Sequence, residues 1–169
     1  MPSVQAHPLP AAALLQRYRE RGAYTDCYAV DVPGTVTQAQ YVQAFYTTPL
    51  FKLERVILRW AIDKPSTDAQ AAQLAAGTRE RFAAWSVEAR SAEQLLMRDF
   101  RSRTCSWLMA APIENGTRLY FGSAVVPEHN RKTGRPQMGF IFRALLGFHQ
   151  LYSVALLRAA VRRLQAPNP

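Results

Sequence analysis

From Gly139 to Leu164 the chain reads GFIFRALLGFHQLYSVALLRAAVRRL, a run whose apolar residues recur at helical spacing. Ile141, Leu145, Phe148, Tyr152, Ala155 and Ala159 step by four and three residues, which predicts one long helix with one buried side. Such a helix constrains everything before it, because the rest of the chain must supply the surface it lies against. From residue 80 onward the apolar period shortens to two, the signature of strands. Arg81–Ala89, Gln94–Phe100, Arg103–Ala111 and Thr117–Val126 are separated by short polar turns such as Glu114-Asn115-Gly116. Connections that short join antiparallel neighbours. A sheet with one long helix laid across it encloses a core that can open into a pocket.

The first half of the chain supplies one more strand and a helical block. Residues 1–8 are expected to be disordered, and about Pro10 to Arg21 to form a short helix that stops before Gly22. Ala23–Val32, rich in Tyr and Val, reads as the first strand and ends at Pro33-Gly34. Thr37 followed by Gln40 makes a capping box, with Val36 and Tyr41 as its hydrophobic staple. Thr48 with Pro49 behind it starts a second helix to about Ile62, burying Leu50, Leu53, Ile57 and Trp60. Ser66 or Thr67 starts a third, Ala-rich helix that ends at Gly77. The fold class is therefore α+β in a single domain over residues 1–169, with residues 165–169 expected to be a disordered tail.

Strand parity sorts inside from outside. With Gln94 and Arg98 facing water, Leu95, Met97 and Asp99 turn inward; Arg118 likewise leaves Leu119, Phe121, Ser123 and Val125 inside. The inner set of the first alternating strand is Ala83, Trp85 and Val87, and that of the third is Cys105, Trp107, Met109 and Ala111.

Charge narrows the partners. The chain has 21 Lys and Arg against 12 Asp and Glu, a formal charge of +9. That favours anionic partners, yet the Arg residues are scattered from Arg17 to Arg163 with no block of like charge and no nucleic-acid motif. Nucleic acid is therefore not expected as a partner, and weak contact with an anionic membrane remains open. Arg131, Lys132 and Arg135, in the basic loop 127–137, read as a solvated surface or as a guide for an anionic ligand. Arg143 and Arg158 interrupt the last helix, so no transmembrane segment is expected. Ala11–Leu15 is too short for a signal-peptide core. Cys27 and Cys105 share no metal or disulfide pattern and read as small buried apolar residues in a cytoplasmic protein.

No catalytic motif is present. Ser123 in Gly122-Ser123-Ala124 lacks the nucleophile-elbow spacing. Asp99, with Arg101 and Arg103, reads as a turn residue bonding its own backbone rather than as a buried acid. His7, His129 and His149 stand apart from carboxylates and thiols at ligand spacing, so neither a metal nor a cofactor is expected. His149 beside Tyr152 either orients a ligand or is a buried imidazole satisfied by a carbonyl.

Four runs carry a resemblance: YTDCYAVDVP (24–33), FYTTPLFKLERVILR (45–59), WLMAAPIENGTRLYFGSAVVP (107–127) and FRALLGFHQLYSVALLRAAVRRL (142–164). With the element order, they are similar to the helix-grip fold of the START-like (SRPBCC) superfamily, and within it to a bacterial branch, the DUF2867-type proteins. The resemblance implies an antiparallel sheet wrapped on the long C-terminal helix, with two or three helices after the first strand. It also implies a cavity that holds a small apolar or aromatic molecule. Trp85, Met97, Trp107, Met109, Phe121, Phe148, His149 and Tyr152 are then the candidate ligand-binding residues, their alternative being packed core. Five strands stand where the fuller fold has about seven, which argues against a lipid-sized cavity. The expected function is binding without catalysis. A cyclase- or dehydratase-like enzyme in the same pocket is the first alternative, and a peripheral membrane or partner-binding module the second.

Overall fold

The structure, a computed structural model, describes residues 3–53, 66–126, 128–129, 136–137 and 140–166, with side chains throughout except at 128–149. Its elements in chain order are β1 (Gln5–Ala6), α1 (Gln16–Glu20), β2 (Tyr24–Pro33), α2 (Gln38–Tyr46) and α3 (Asp68–Ala75). There follow β3 (Arg81–Phe82), β4 (Trp85–Arg90), β5 (Gln94–Asp99), β6 (Thr104–Ile113) and β7 (Gly116–Val125). A two-residue pair, β8 (Glu128–His129) and β9 (Pro136–Gln137), precedes the long α4 (Phe140–Gln165).

Seven strands form one sheet in the order β1-β2-β7-β6-β5-β4-β3, and every neighbouring pair is antiparallel. With α4 packed against that sheet, the architecture is α+β of the helix-grip kind. Two of the seven strands are not legible as strands in the sequence. Residues 5–6, expected to be disordered, pair with β2 through Gln5↔Ala29 and Ala6↔Tyr28, and His7 N–H donates to the Cys27 carbonyl at 2.9 Å. The predicted strand Arg81–Ala89 is instead a hairpin, with Phe82 opposite Trp85 and Ala83-Ala84 as its two-residue turn. Ala83 sits at φ +50, the left-handed conformation that such turns demand and that Ala rarely supplies.

The helix starts follow their caps. Thr37 and Gln40 bond reciprocally, and Thr67 and Gln70 repeat the capping box at α3. Thr48 Oγ accepts from the Phe51 N–H at 3.1 Å, so a helical run begins at Pro49 and is described to residue 53. The remainder of that predicted helix, with Ile57 and Trp60, lies outside the described residues. Leu53, expected to be buried, is 58% exposed. α1 is shorter than its predicted span, and Gly22 and Gly77 terminate α1 and α3 at φ +79 and +78.

Both faces of the sheet are covered. On one, Tyr28, Val30, Leu119, Phe121, Leu108 and Met97 pack under α2, α3 and α4. On the other, Cys27, Leu96, Cys105, Trp107 and Tyr120 pack under Ala13, Leu15 and Tyr18 of the N-terminal segment. Gln94, taken from the sequence as a marker of the wet face, is in fact buried and pins that segment down. Its Oε1 accepts from Leu14 N–H and Trp107 Nε1–H, both at 2.9 Å, while its Nε2 donates to the Ala12 carbonyl at 3.0 Å. Tyr18 OH adds a 2.5 Å bond to Glu88 on β4.

Two sequence expectations are corrected here. In β6 the helix-side residues are Ser106, Leu108 and Ala110, whereas Trp107 and Met109 face the N-terminal segment. Residue size points to the core only when a sheet has one covered face, and this one has two. Among the described side chains of α4 the buried ones are Ser153, Leu156, Leu157, Ala160 and Val161. The seam is thus one residue off the predicted Tyr152, Ala155, Ala159 stripe. Leu156, Leu157 and Val161 remove more apolar area from water than the alanines do, so they take the inner side. Gln165, expected in the tail, closes the helix.

Candidate functional site

Between the helix-side face of the sheet and α4 lies a cavity of about 190 Å³. Phe45 and Tyr46 reach it from α2, Phe51 from the next helical run, Trp85 from β4, Phe121 from β7, and Tyr152 and Leu156 from α4. Tyr41 and Phe45 stand four residues apart on α2 and both point to the sheet, which is why this helix buries rings there. The walls brace one another edge to face: Phe45 and Tyr46 are 5.3 Å apart between centroids, Tyr46 and Phe51 4.8 Å. Phe45 also leans on Phe121 at 5.0 Å. Rings locked in this way hold a cavity open, because none can rotate into it without losing its partner.

Hydroxyls line the remaining wall. Ser106 and Ser123 are direct partners across β6 and β7, so their side chains share one face. Ser106 Oγ lies 3.3 Å from Tyr46 OH. Ser123 Oγ donates to Asp26 Oδ1 at 2.6 Å, and the Ser123 backbone N–H donates to the same oxygen at 3.0 Å. Ser153 of α4 is fully buried at the rim. Trp85 Nε1–H is buried and has no hydrogen-bond partner among the described residues. A buried donor left unpaired is costly, and the side chain that carries it lines the cavity.

Among the described lining residues none is a carboxylate, imidazole, amine or guanidinium. The Cys105 thiol, at the edge, is pushed up to about 11 chiefly by burial and stays protonated at neutral pH. The lining therefore offers apolar area, hydroxyls and one indole N–H, and it can hold a ring without ionising anything. Asp99 binds its own turn, accepting from Arg103 N–H at 2.7 Å and Thr104 N–H at 3.0 Å. Among the described residues there is no cluster of three metal-ligating side chains, and no helix is long and apolar enough to cross a membrane.

Of the candidate ligand-binding residues, Trp85, Phe121 and Tyr152 meet at the cavity. Met97 is fully buried in the same core without forming part of the wall. Trp107 and Met109 are separated from it by the thickness of the sheet. The side chains of Phe148 and His149 lie outside those described. Phe45, Tyr46 and Phe51 were missed although α2 carried a signal, the Tyr41/Phe45 pair at helical spacing. Parity placed Ser123 on the inner face, whereas Ser106 and Ser153 carried no signal, since a small polar residue there looks like a loss of pattern.

No family model matches the chain, and no curated protein does. Among solved structures it is similar to CalU16 from Micromonospora echinospora, at 9% identity and a TM-score of 0.33, over 98% of this chain and 93% of that one.

Proposed function

We propose that this START-like domain binds a small, single-ring aromatic molecule in the cavity beneath α4 and does not transform it. The observation that carries the reading is the pairing of braced aromatic walls with the unpartnered Trp85 Nε1–H. Size supports a small occupant. Drug-sized sites run from about 300 Å³ upward, whereas a dry cavity of about 150 Å³ accepts benzene, and about 190 Å³ falls near the latter. The fitting ligand carries an oxygen acceptor on its ring, as phenols and aryl ketones do, to take the indole hydrogen bond. Catalysis is disfavoured because acid–base chemistry needs converging groups that titrate near neutrality, and the described lining has none.

Thermal unfolding in the presence of simple phenols tests the reading. A ligand at a hundred times its dissociation constant adds about 2.7 kcal/mol of stability, so Tm rises with the logarithm of its concentration once that constant is exceeded. Ser106→Leu, which fills the cavity from β6, should remain folded by circular dichroism and lose that rise. Equal shifts in both proteins, or no shift with any single-ring compound, would refute the proposal.

A further inference from the structure

We infer that the outer face of α4, together with the start of the helical run at Pro49, is a docking surface for an anionic lipid bilayer. A groove of about 630 Å³ runs between them, floored by Pro49, Leu50, Ala155 and Ala159 and bordered by Arg158, Arg162 and Arg163. The three Arg side chains are exposed, and among the described residues none has an ion pair or a side-chain hydrogen bond. Arg118 and Lys52, by contrast, are half-buried and paired with Asp31 and Asp68.

The apolar component is equally specific. Leu151 is 74% exposed and Leu53 58%, the most exposed large aliphatic side chains among the described residues. On a helix of 3.6 residues per turn, Leu151, Ala155, Arg158 and Arg162 fall on one stripe. Leu53 follows Leu50 by three residues, about one turn, on the helical run that begins at Pro49. Large apolar residues flanked by exposed guanidinium groups match a bilayer surface, where leucine enters the acyl boundary and arginine holds phosphate. Stabilisation of a helix C-terminus accounts for Arg162 and Arg163 in the last turn, but not for the exposed leucines. A second copy of the chain would bring like charges together at +9 each, which opposes self-association through this face. A nucleic acid would find no ring to stack on among the residues of the groove.

Co-sedimentation of the full chain with phosphatidylcholine vesicles, with and without phosphatidylglycerol, tests this inference. Partitioning is expected only on the phosphatidylglycerol vesicles and should weaken as salt is raised. The triple variant Arg158→Gln, Arg162→Gln, Arg163→Gln should lose at least about tenfold in partition coefficient. Leu151→Ser should lose several-fold while unfolding at the parent temperature. Variants that sediment like the parent, or no sedimentation at all, overturn the inference. Tighter binding to single-stranded DNA or polyglutamate that Leu151→Ser leaves unchanged overturns it too, in favour of a polyanion site.

Discussion

At the scale of single residues, the packing on the N-terminal side of the sheet is what makes the cavity side possible. Trp107 is fully buried, its N–H is satisfied by Gln94, and its ring lies against Gly122, where an added Cβ would come within 3.0 Å of Trp107 Cε3 and Leu15 Cδ2. Trp107→Ala should therefore cost about 3–5 kcal/mol in urea denaturation; a loss under about 1 kcal/mol would mean the indole is not packed as described. Burial also governs the two thiols. Cys27 is pushed up to about 12, first by burial and then by the nearby Asp26 charge, and Cys105 to about 11 by burial. A thiol raised above its ordinary value of about 8.5 stabilises the fold fully below that pH, and the contribution fades as pH climbs toward the folded value. Both cysteines should thus resist a disulfide reagent at pH 8 in the native protein and react on unfolding. Rapid native labelling at pH 8 would contradict their burial. Asp31 shifts the other way: the Arg118 guanidinium bonded to it holds its carboxyl below the usual range. Its small contribution is present above pH 4 or so and is lost as pH falls through the lowered value.

At the scale of elements, what the sequence disclosed depended on whether a local signal was complete. The capping box at Thr37 located one helix start because both partners of the hydrogen-bond pair are written within four residues; at the next the sequence left Ser66 or Thr67 open, and the structure shows Thr67 paired with Gln70. The meander from β5 to β7 was legible because its turns carry their own chemistry, such as the Asp99 side chain bonding the backbone of Arg103 and Thr104. The hairpin at residues 82–85 was not, since Ala83-Ala84 has neither the Gly nor the Asn that marks a two-residue turn. Strained at φ +50, Ala83 gives a direct check. Ala83→Gly should raise stability by up to about 1 kcal/mol, relief of the left-handed strain outweighing the added chain entropy; a less stable glycine variant would argue against that backbone conformation. β1 and the seam of α4 escaped for a different reason. Their positions are set by partners far away in sequence: β2 for the first, and the whole helix-side core for the second. The candidate site inherited these errors. Phe121 lay on a strand whose facing was readable, Trp85 kept its side although its strand is a hairpin, and Tyr152 reaches the cavity from beside the true seam, whereas Trp107 and Met109 were placed on the wrong side of a strand buried on both faces.

At the scale of the whole molecule, a seven-stranded antiparallel sheet is sealed on one face by its own N-terminal segment and roofed on the other by helices. That asymmetry gives the two faces different work. The face toward residues 13–18 is closed by interlocked Gln94, Trp107 and Tyr18, and it holds the sheet rigid. The face toward α2 and α4 keeps a small space with braced rings, and Trp85, whose buried N–H has no partner among the described residues, lines it. The proposed occupant of this space is a ring that carries an acceptor. Of the three indole N–H groups, those of Trp85 on one face and Trp107 on the other report on it separately in a nitrogen–proton correlation spectrum of the labelled protein titrated with phenol. The Trp85 indole resonance is expected to move downfield saturably as it gains an acceptor, while that of Trp107, already bonded to Gln94, stays where it is. A Trp85 signal unmoved at saturating phenol, or both signals shifting together, would contradict the account.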